Sequence, residues 1–508
     1  MSEIKISRHT AYKDTITLPL FHHAKEALRF TRRVDQAHAI MLSETGVLSK
    51  SATKAILQGI QAVDAALDLS TLESPEPFED LFFYLEDRLI AQIGDAIGGN
   101  LHIARSRNDL EATVFRMALK EDMRLAIGGY LDQTAGLLAK AKSESATIVV
   151  AFTHGQPAQP TTFGHYLAAK VEADLRHAKR MFSAYDDIDA CPLGAVAITT
   201  TGFSIDRQRV TALLGFKTTL ENSYGCIASA DYLTAAFQTL RLALIDIGRL
   251  SQDLALWSNG AVSQIRVSDD FCQISSVMPQ KRNPLAIEYI RTLASLTSAR
   301  CEAVTQAVHN TPFADMVDAE APTQSAGAAA INDFIRVCEL TKGLVAGLTV
   351  NNHAVRDLIA TSAASATELA DNFVRLEKLP FRQAHGITKA LARVAETAGT
   401  TIQQIDTETA NREFEEIVGR TLLNAWSDHI EALSPERSVC VREVFGGPGP
   451  GVLNNSLERY EVCLNELRAK LAQKIEAEEA AEKRLHEIVA ALIGESPAEP
   501  MEQTVLSA

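Results

Sequence analysis

Long stretches whose apolar residues return every three or four positions constrain this chain more than any other feature. Residues 110–141, LEATVFRMALKEDMRLAIGGYLDQTAGLLAKA, carry the pattern with charges set between the apolar positions, as an amphipathic helix does. Residues 162–185, 229–257, 286–309 and 324–348 read the same way. Several lack a clear polar face, and LTAAFQTLRLALIDIGRLSQDLALW, residues 233–257, is the plainest case. A helix apolar on most sides has to be buried in a large bundle or against a neighbouring subunit. The spacing therefore predicts an all-α chain with a long central bundle whose core is completed by other copies.

Composition agrees. Only 6% of the residues are aromatic, while Ala and Leu abound, which suits helix-on-helix packing better than a sandwich or barrel. Strand signals are weak, with LGAVAITTTGFS, residues 193–204, the best extended or irregular candidate. At about 150 residues per domain, a chain of 508 gives about three regions. We divide it into an N-terminal helical domain (1–109), a central bundle with a signature loop (110–360), and a small C-terminal helical domain (361–465). Residues 466–508 follow as a charged, solvent-facing helix and a loose tail from 494 onward.

Charge and cysteine usage narrow the function. The 49 Lys and Arg against 64 Asp and Glu leave a net charge of −15, which argues against nucleic acid because phosphate contacts need clustered positive charge. An anionic substrate stays possible through a local basic pocket. No apolar run reaches the roughly 18 residues of a membrane span. The opening MSEIKISRHTAYKDTI lacks the apolar core of a secretory signal. Seven scattered cysteines without a CxxC pair read as reduced thiols in a cytoplasmic protein and speak against structural zinc. The adjacent His22 and His23 have no further ligands nearby, so no metal is expected. The usual nucleotide, zinc-protease and serine-hydrolase signatures are missing, and FGGPGPG at 445–451 lacks the GxGxxG spacing.

Three polar segments interrupt the helical pattern: GNLHIARSRND (99–109), FTHGQPAQPTTFGH (152–165) and SSVMPQKRNP (275–284). Each alone reads as an interhelical turn with capping side chains. Together they supply the Arg, Lys, His, Asn, Ser, Thr and Gln that recognition of a dicarboxylate demands.

These segments resemble, in order, the three signature regions of the fumarase/aspartase superfamily, closest to its argininosuccinate lyase branch, where they run LHTGRSRND, THLQxAQPxTFGH and GSSxMPQKxNP. The segments at 35–49, 201–216, 365–374 and 379–388 also have counterparts there, so the resemblance spans residues 30–460. It implies elimination of an amine from an N-substituted aspartate to release fumarate, without a cofactor. It also implies a homotetramer in which three subunits contribute to each site, around a small dicarboxylate substrate.

The hard step of such a reaction is removal of a weakly acidic proton beside a carboxylate, which builds a doubly charged aci-carboxylate. By resemblance Ser275 is the general base, Lys281 the nearby cation and Asn283 a donor to the same carboxylate. A serine alkoxide needs Lys281, backbone N–H groups and exclusion of water, which a closing loop supplies. His154 corresponds to the histidine beside the leaving nitrogen, and Glu288 to its carboxylate partner. Thr153 and Gln159 are polar binding candidates. Ser106, Arg107 and Asn108 match the dicarboxylate-binding run, and Arg107 offers a bidentate fork. His102 and Arg105 match the motif in supporting positions.

Four departures stand out. Ile274 precedes Ser275 where the family has Gly; Phe82 replaces a histidine; Leu285 follows the NP pair where Asp is common. The largest is TPFADMVDAE, 311–320, where anchoring on Asp315 puts Pro312, Val317 and Glu320 in the places of a substrate-contacting Tyr, Gln and Lys. Lysine to glutamate reverses a charge beside the bound substrate. The expected substrate is therefore another N-substituted aspartate, such as ethylenediamine-disuccinate. Argininosuccinate itself and a non-catalytic structural member are the alternatives.

Overall fold

The computed structural model describes residues 9–494. The N-terminal part folds as α1 (Leu18–Glu26), α2 (Leu28–Glu44), α3 (Lys50–Ala66) and α4 (Leu81–Ile93). Side chains just before the apolar runs start these helices: Ser49 Oγ accepts the Ala52 N–H at 3.1 Å, and Asp80 accepts that of Phe83 at 2.9 Å.

The bundle begins with α5 (Arg107–Ser143), 37 residues long. A hairpin, β1 (Ile148–Thr153) with β2 (Gln156–Thr162), turns the chain into α6 (Phe163–Ile188). Helix α7 (Asp231–Ser258) follows. A small hairpin of β3 (Gln273–Ile274) and β4 (Arg282–Asn283) then leads into α8 (Leu285–Ala307) and α9 (Ala321–Ala346). The predicted bundle helices all form, each within a few residues of its expected limits. The extended candidate at 193–204 is a run of turns, flanked by the two-residue strand Ala190–Cys191.

Helical spacing explains the core. Phe115, Leu119, Met123, Ile127, Tyr130 and Leu138 of α5 are buried with Leu167, Val171 and Phe182 of α6 and with Leu240, Leu244 and Ile247 of α7. Each such side chain, fully buried, contributes about 1.5–3 kcal/mol. Gly164 shows how closely the elements approach: a Cβ there would sit 2.4 Å from Ala141 O and 2.6 Å from Ser145 Cα.

Further along, α10 (Ala366–Glu377), α11 (Phe381–Thr397) and α12 (Thr407–Val418) enclose a separate core of Leu369, Phe373, Ile387, Leu391, Phe414 and Trp426. The chain then forms α13 (Pro450–Ile493), 44 residues in one helix. Its charged second half, expected to face solvent, does so over most of its charged positions, but one apolar stripe does not. Leu464, Leu467 and Leu471 are buried against the bundle, and Leu485, Val489 and Ile493 against the N-terminal core. Its charges are used inwardly too: Lys474 pairs with Asp186 at 2.7 Å and Glu482 with Arg33 at 3.3 Å. A narrow apolar stripe among many charges hid this packing in the sequence. The expected loose tail lies outside the described residues, apart from Gly494, which ends α13 in the left-handed conformation. Among the described residues no helix is long and apolar enough to cross a membrane, and no group of three or more His, Cys, Asp or Glu could hold a metal ion.

Candidate active site

The first polar segment forms the start of α5. Ser106 is its N-cap: Oγ accepts the Asn108 N–H at 3.3 Å, while the Asp109 carboxylate accepts the Ser106 N–H at 2.9 Å. Asp109 also accepts the N–H groups of Gly194 and Val196, both at 2.9 Å. It thereby ties the turn-rich loop to this helix end. Arg107 donates to Asp80 at 2.6 Å and lies over the Phe83 ring. Asn108 donates to Asp315 at 2.7 Å and to Ala197 O at 3.2 Å. Behind them, Arg105 is buried against Asp35 at 2.7 Å, and the His102 ring lies 5.0 Å from Phe82. Burial, with the Arg105 charge next, holds the His102 imidazole down to about 4. These two are supports within the fold.

The divergent segment 311–320 meets this same end. An open cavity there is lined by Asn108, Glu111, Tyr232, Pro312, Asp315 and Glu320, among others. Desolvation pushes the Glu111 carboxyl up to about 7, helped by the negative charge of Glu320. Burial, then Asp315, raises Glu320 as well. Arg107 offsets part of this excess, but it is already paired. Val317 lies in the short turn before Glu320 and is exposed.

The second and third segments lie at the opposite end of the bundle. Thr153 and Gln156 close the β1–β2 hairpin around His154 (φ 54°) and Gly155 (φ 74°). Two successive positive φ angles make the tight turn that matches strand twist. A non-glycine residue held there is strained, and such strain concentrates at functional positions. His154 stands exposed at the tip, as do Thr153 and, on β2, Gln159. The hairpin itself went unpredicted, although TIVVAF before HG is a strand-and-turn signal.

The β3–β4 pair closes a loop over residues 275–281. Arg282 fastens its foot through Asp269 and through Val267 O at 3.2 Å. Ser275 Oγ accepts the N–H groups of Val277 at 3.3 Å and Met278 at 3.0 Å. The hydroxyl thus caps the loop, and the same two donors would favour an alkoxide on it. Lys281 is exposed on this loop, Asn283 lies in β4, and Glu288 is exposed in the first turn of α8. Ile274 and Val277 are 87% and 83% exposed. The loop therefore presents an apolar tip to solvent.

The ends are fixed by contacts. Arg116 of α5 donates to Asp187 O near the finish of α6, at 2.9 Å, and stacks on Tyr232 at the start of α7. Phe152 of the hairpin and Trp257 at the end of α7 lie 6.5 Å apart. The 26 residues of α6 then separate the two ends by roughly 39 Å at 1.5 Å per residue. Among the described residues no hydrogen bond or ion pair joins any two of the three polar segments. One chain places Asn108 in the cavity of Pro312 and Glu320, with Ser106 and Arg107 beside it at the same helix start. It carries Thr153, His154, Gln159, Ser275, Lys281, Asn283 and Glu288 at the far end. Asp80, Asp315 and Glu111 were missed as neighbours of the first segment. Only Glu111, four residues from Arg107 on one helix, left a readable signal.

Comparison with known proteins gives this arrangement its context. The lyase family model matches residues 20–296, and the argininosuccinate lyase C-terminal model matches 363–440. The chain is 40% identical over 484 residues to argininosuccinate lyase 2 of Agrobacterium fabrum, covering 95% of this chain and 96% of that protein. It is 33% identical over 437 residues to argininosuccinate lyase of Methanosphaera stadtmanae, covering 85% and 93%. Among solved structures, EDDS lyase in complex with formate superposes with a TM-score of 0.83 at 27% identity, covering 96% of this chain and 97% of the other. A class II fumarase from Schistosoma mansoni shares the fold, with a TM-score of 0.66 at 15% identity. With its signature segments at helix starts and its bundle thus matched, the chain belongs to the argininosuccinate lyase branch of the fumarase/aspartase superfamily, and its argininosuccinate lyase and EDDS lyase relatives make it a carbon–nitrogen lyase that releases fumarate.

Proposed function

We propose that this chain cleaves an N-substituted aspartate other than argininosuccinate, with Ser275 removing the proton beside a carboxylate. The observation that carries the base assignment is the pair of N–H donors on Ser275 Oγ. They stabilise the alkoxide that a serine base needs. Lys281 and Asn283 then receive the charge growing on the carboxylate, and His154, oriented by Glu288, serves the leaving nitrogen. Ser106, Arg107, Asn108, Thr153 and Gln159 hold the dicarboxylate. The separation of these groups along the bundle supports a site completed by other copies of the chain in a homotetramer. So do Leu242, Ile245, Tyr289 and Leu296, exposed apolar side chains on α7 and α8.

The amine half is read from the cavity at Asn108. Glu111, Asp315 and Glu320 disfavour a carboxylate on that half, which counts against ethylenediamine-disuccinate, and favour a cationic nitrogen facing Glu320. Argininosuccinate is the second reading, favoured by the 40% identity to an argininosuccinate lyase.

Incubating the protein with fumarate and a panel of mono- and diamines, amino acids and arginine, while following loss of fumarate absorbance, tests both. Addition to fumarate of the neutral nitrogen of a diamine that carries no carboxylate, its second nitrogen cationic, is the expected result. Activity with arginine alone would overturn the altered-substrate reading, and silence with every amine would overturn the reaction itself. Light scattering should give a mass near four chains; a monomer would contradict the shared site.

A further inference from the structure

One wall of the Asn108–Glu320 cavity is held from a distant part of the chain. Helix α1 is seated by Phe21, buried with Leu28, Val63, Leu81 and Leu85, and by Lys25, which donates to Leu72 O at 2.9 Å. From this helix His23 reaches the first turn of α9. Its Nε2 is 2.9 Å from Gln324 Oε1, and its Nδ1 is 3.4 Å from Ser325 Oγ. Gln324 lines the cavity, and its amide nitrogen donates to Ala319 O at 3.1 Å. With that nitrogen committed, the amide oxygen faces His23, so the imidazole donates from Nε2. Nδ1 is then left to accept the Ser325 hydroxyl. One tautomer satisfies every contact.

The linkage matters because Glu320 has no such anchor of its own. It is the N-cap residue of α9, yet its side chain makes no capping bond. Its position comes from the backbone around it: Glu320 N–H donates to Val317 O at 3.0 Å, and Thr323 Oγ1 to Asp318 O at 2.7 Å. Gln324 closes that turn from the side through Ala319, and His23 holds Gln324.

We infer that His23 is a positioning residue for amine recognition. Through Gln324 it fixes the Ala319–Glu320 turn at the cavity wall and so sets which amine half is accepted. The inference rests on the proposed addition–elimination reaction. His23 lies in neither the signature segments nor the cavity lining and contacts Gln324 and Ser325, not Asn108, so its effect falls first on the amine.

The test measures KM for amine and for fumarate separately, in the addition direction, with the best amine of the panel. Loss of one neutral hydrogen bond predicts that His23→Leu raises the amine KM about five-fold, with fumarate KM and kcat nearly unchanged. His23→Gln, whose amide can donate to the same oxygen, should restore most of the loss. His22→Leu, altering the exposed neighbour on the same helix, should change nothing. In a Glu320→Gln background, His23→Leu should add little, because the residue it positions is already altered. Gln324→Met breaks the same link from the other side and should reproduce the amine-specific loss if His23→Leu fails to fold. An unchanged amine KM overturns the inference. Equal rises for both substrates, absence of rescue by His23→Gln, or a full additional loss in the Glu320→Gln background does so too. A wild-type protein silent with every amine would instead defeat the proposed reaction, so the two failures are distinct.

Discussion

The two ends of the bundle differ in what they keep. At the hairpin end, the chemistry-bearing residues retain the family pattern and stand exposed on strained or apolar turns: His154 at positive φ, Ser275 on a loop tipped by Ile274 and Val277. At the other end, Ser106, Arg107 and Asn108 also match, but Arg107 is tied inward to Asp80 and Asn108 to Ala197 and Asp315, beside a cavity that collects negative charge. On the proposed reading, proton abstraction and amine selection fall to regions roughly 39 Å apart in one chain. One can drift while the other stays.

The largest expected effect tests the hairpin end. Ser275→Ala should lower turnover roughly 10³-fold, with the melting temperature little changed because only one capping hydroxyl is lost. Near-native turnover in that variant would remove Ser275 as the base. Next, the separation itself can be broken. Mixing Ser275→Ala chains with Arg107→Ala chains after joint refolding should recover about a quarter of wild-type activity, since random assembly pairs two intact ends at that frequency. If the mixture stays as inactive as its components, the ends do not cooperate across copies.

Smaller effects sharpen the cavity end. Glu320→Lys should shift the ratio of kcat/KM between a cationic amine and a carboxylate-bearing one by about ten-fold toward the latter. An unmoved ratio would mean that Glu320 does not face the substrate. The smallest effect is a pH dependence. Glu111 is protonated below about 7 and charged above it, so affinity for a cationic amine should rise by a few-fold as pH climbs through that value. Glu111→Gln should flatten the profile; a profile that keeps its rise assigns the titration to another group.

The helices were legible because burial imposes a period on the sequence, and capping residues mark where each run begins. The tight turn at His154–Gly155 was overlooked because two prolines, Pro157 and Pro160, sit on β2. A strand of a two-stranded ribbon has an open edge and tolerates them. Ser275 and Arg107 were readable as motif members, whereas the Asp80 and Asp315 partners were not, since pairs 27 and 207 residues apart leave no local trace. The His23–Gln324 link, spanning 301 residues, is of the same kind. A doublet of histidines had looked idle in the sequence because its partner belongs to another helix.

Helix α13 has a consequence for how the chain comes together. Its last turns complete a core whose other members come mostly from the first quarter of the sequence, among them Phe30, Val34, Ile40, Leu57 and Leu110, and otherwise from residues 191–216. During synthesis that core waits, with its apolar face uncovered, until residues 485–493 have emerged. Contacts of such sequence separation form slowly. The N-terminal region is thus made first and closed last, and a shield over its exposed face in the interval would raise the yield of folded protein.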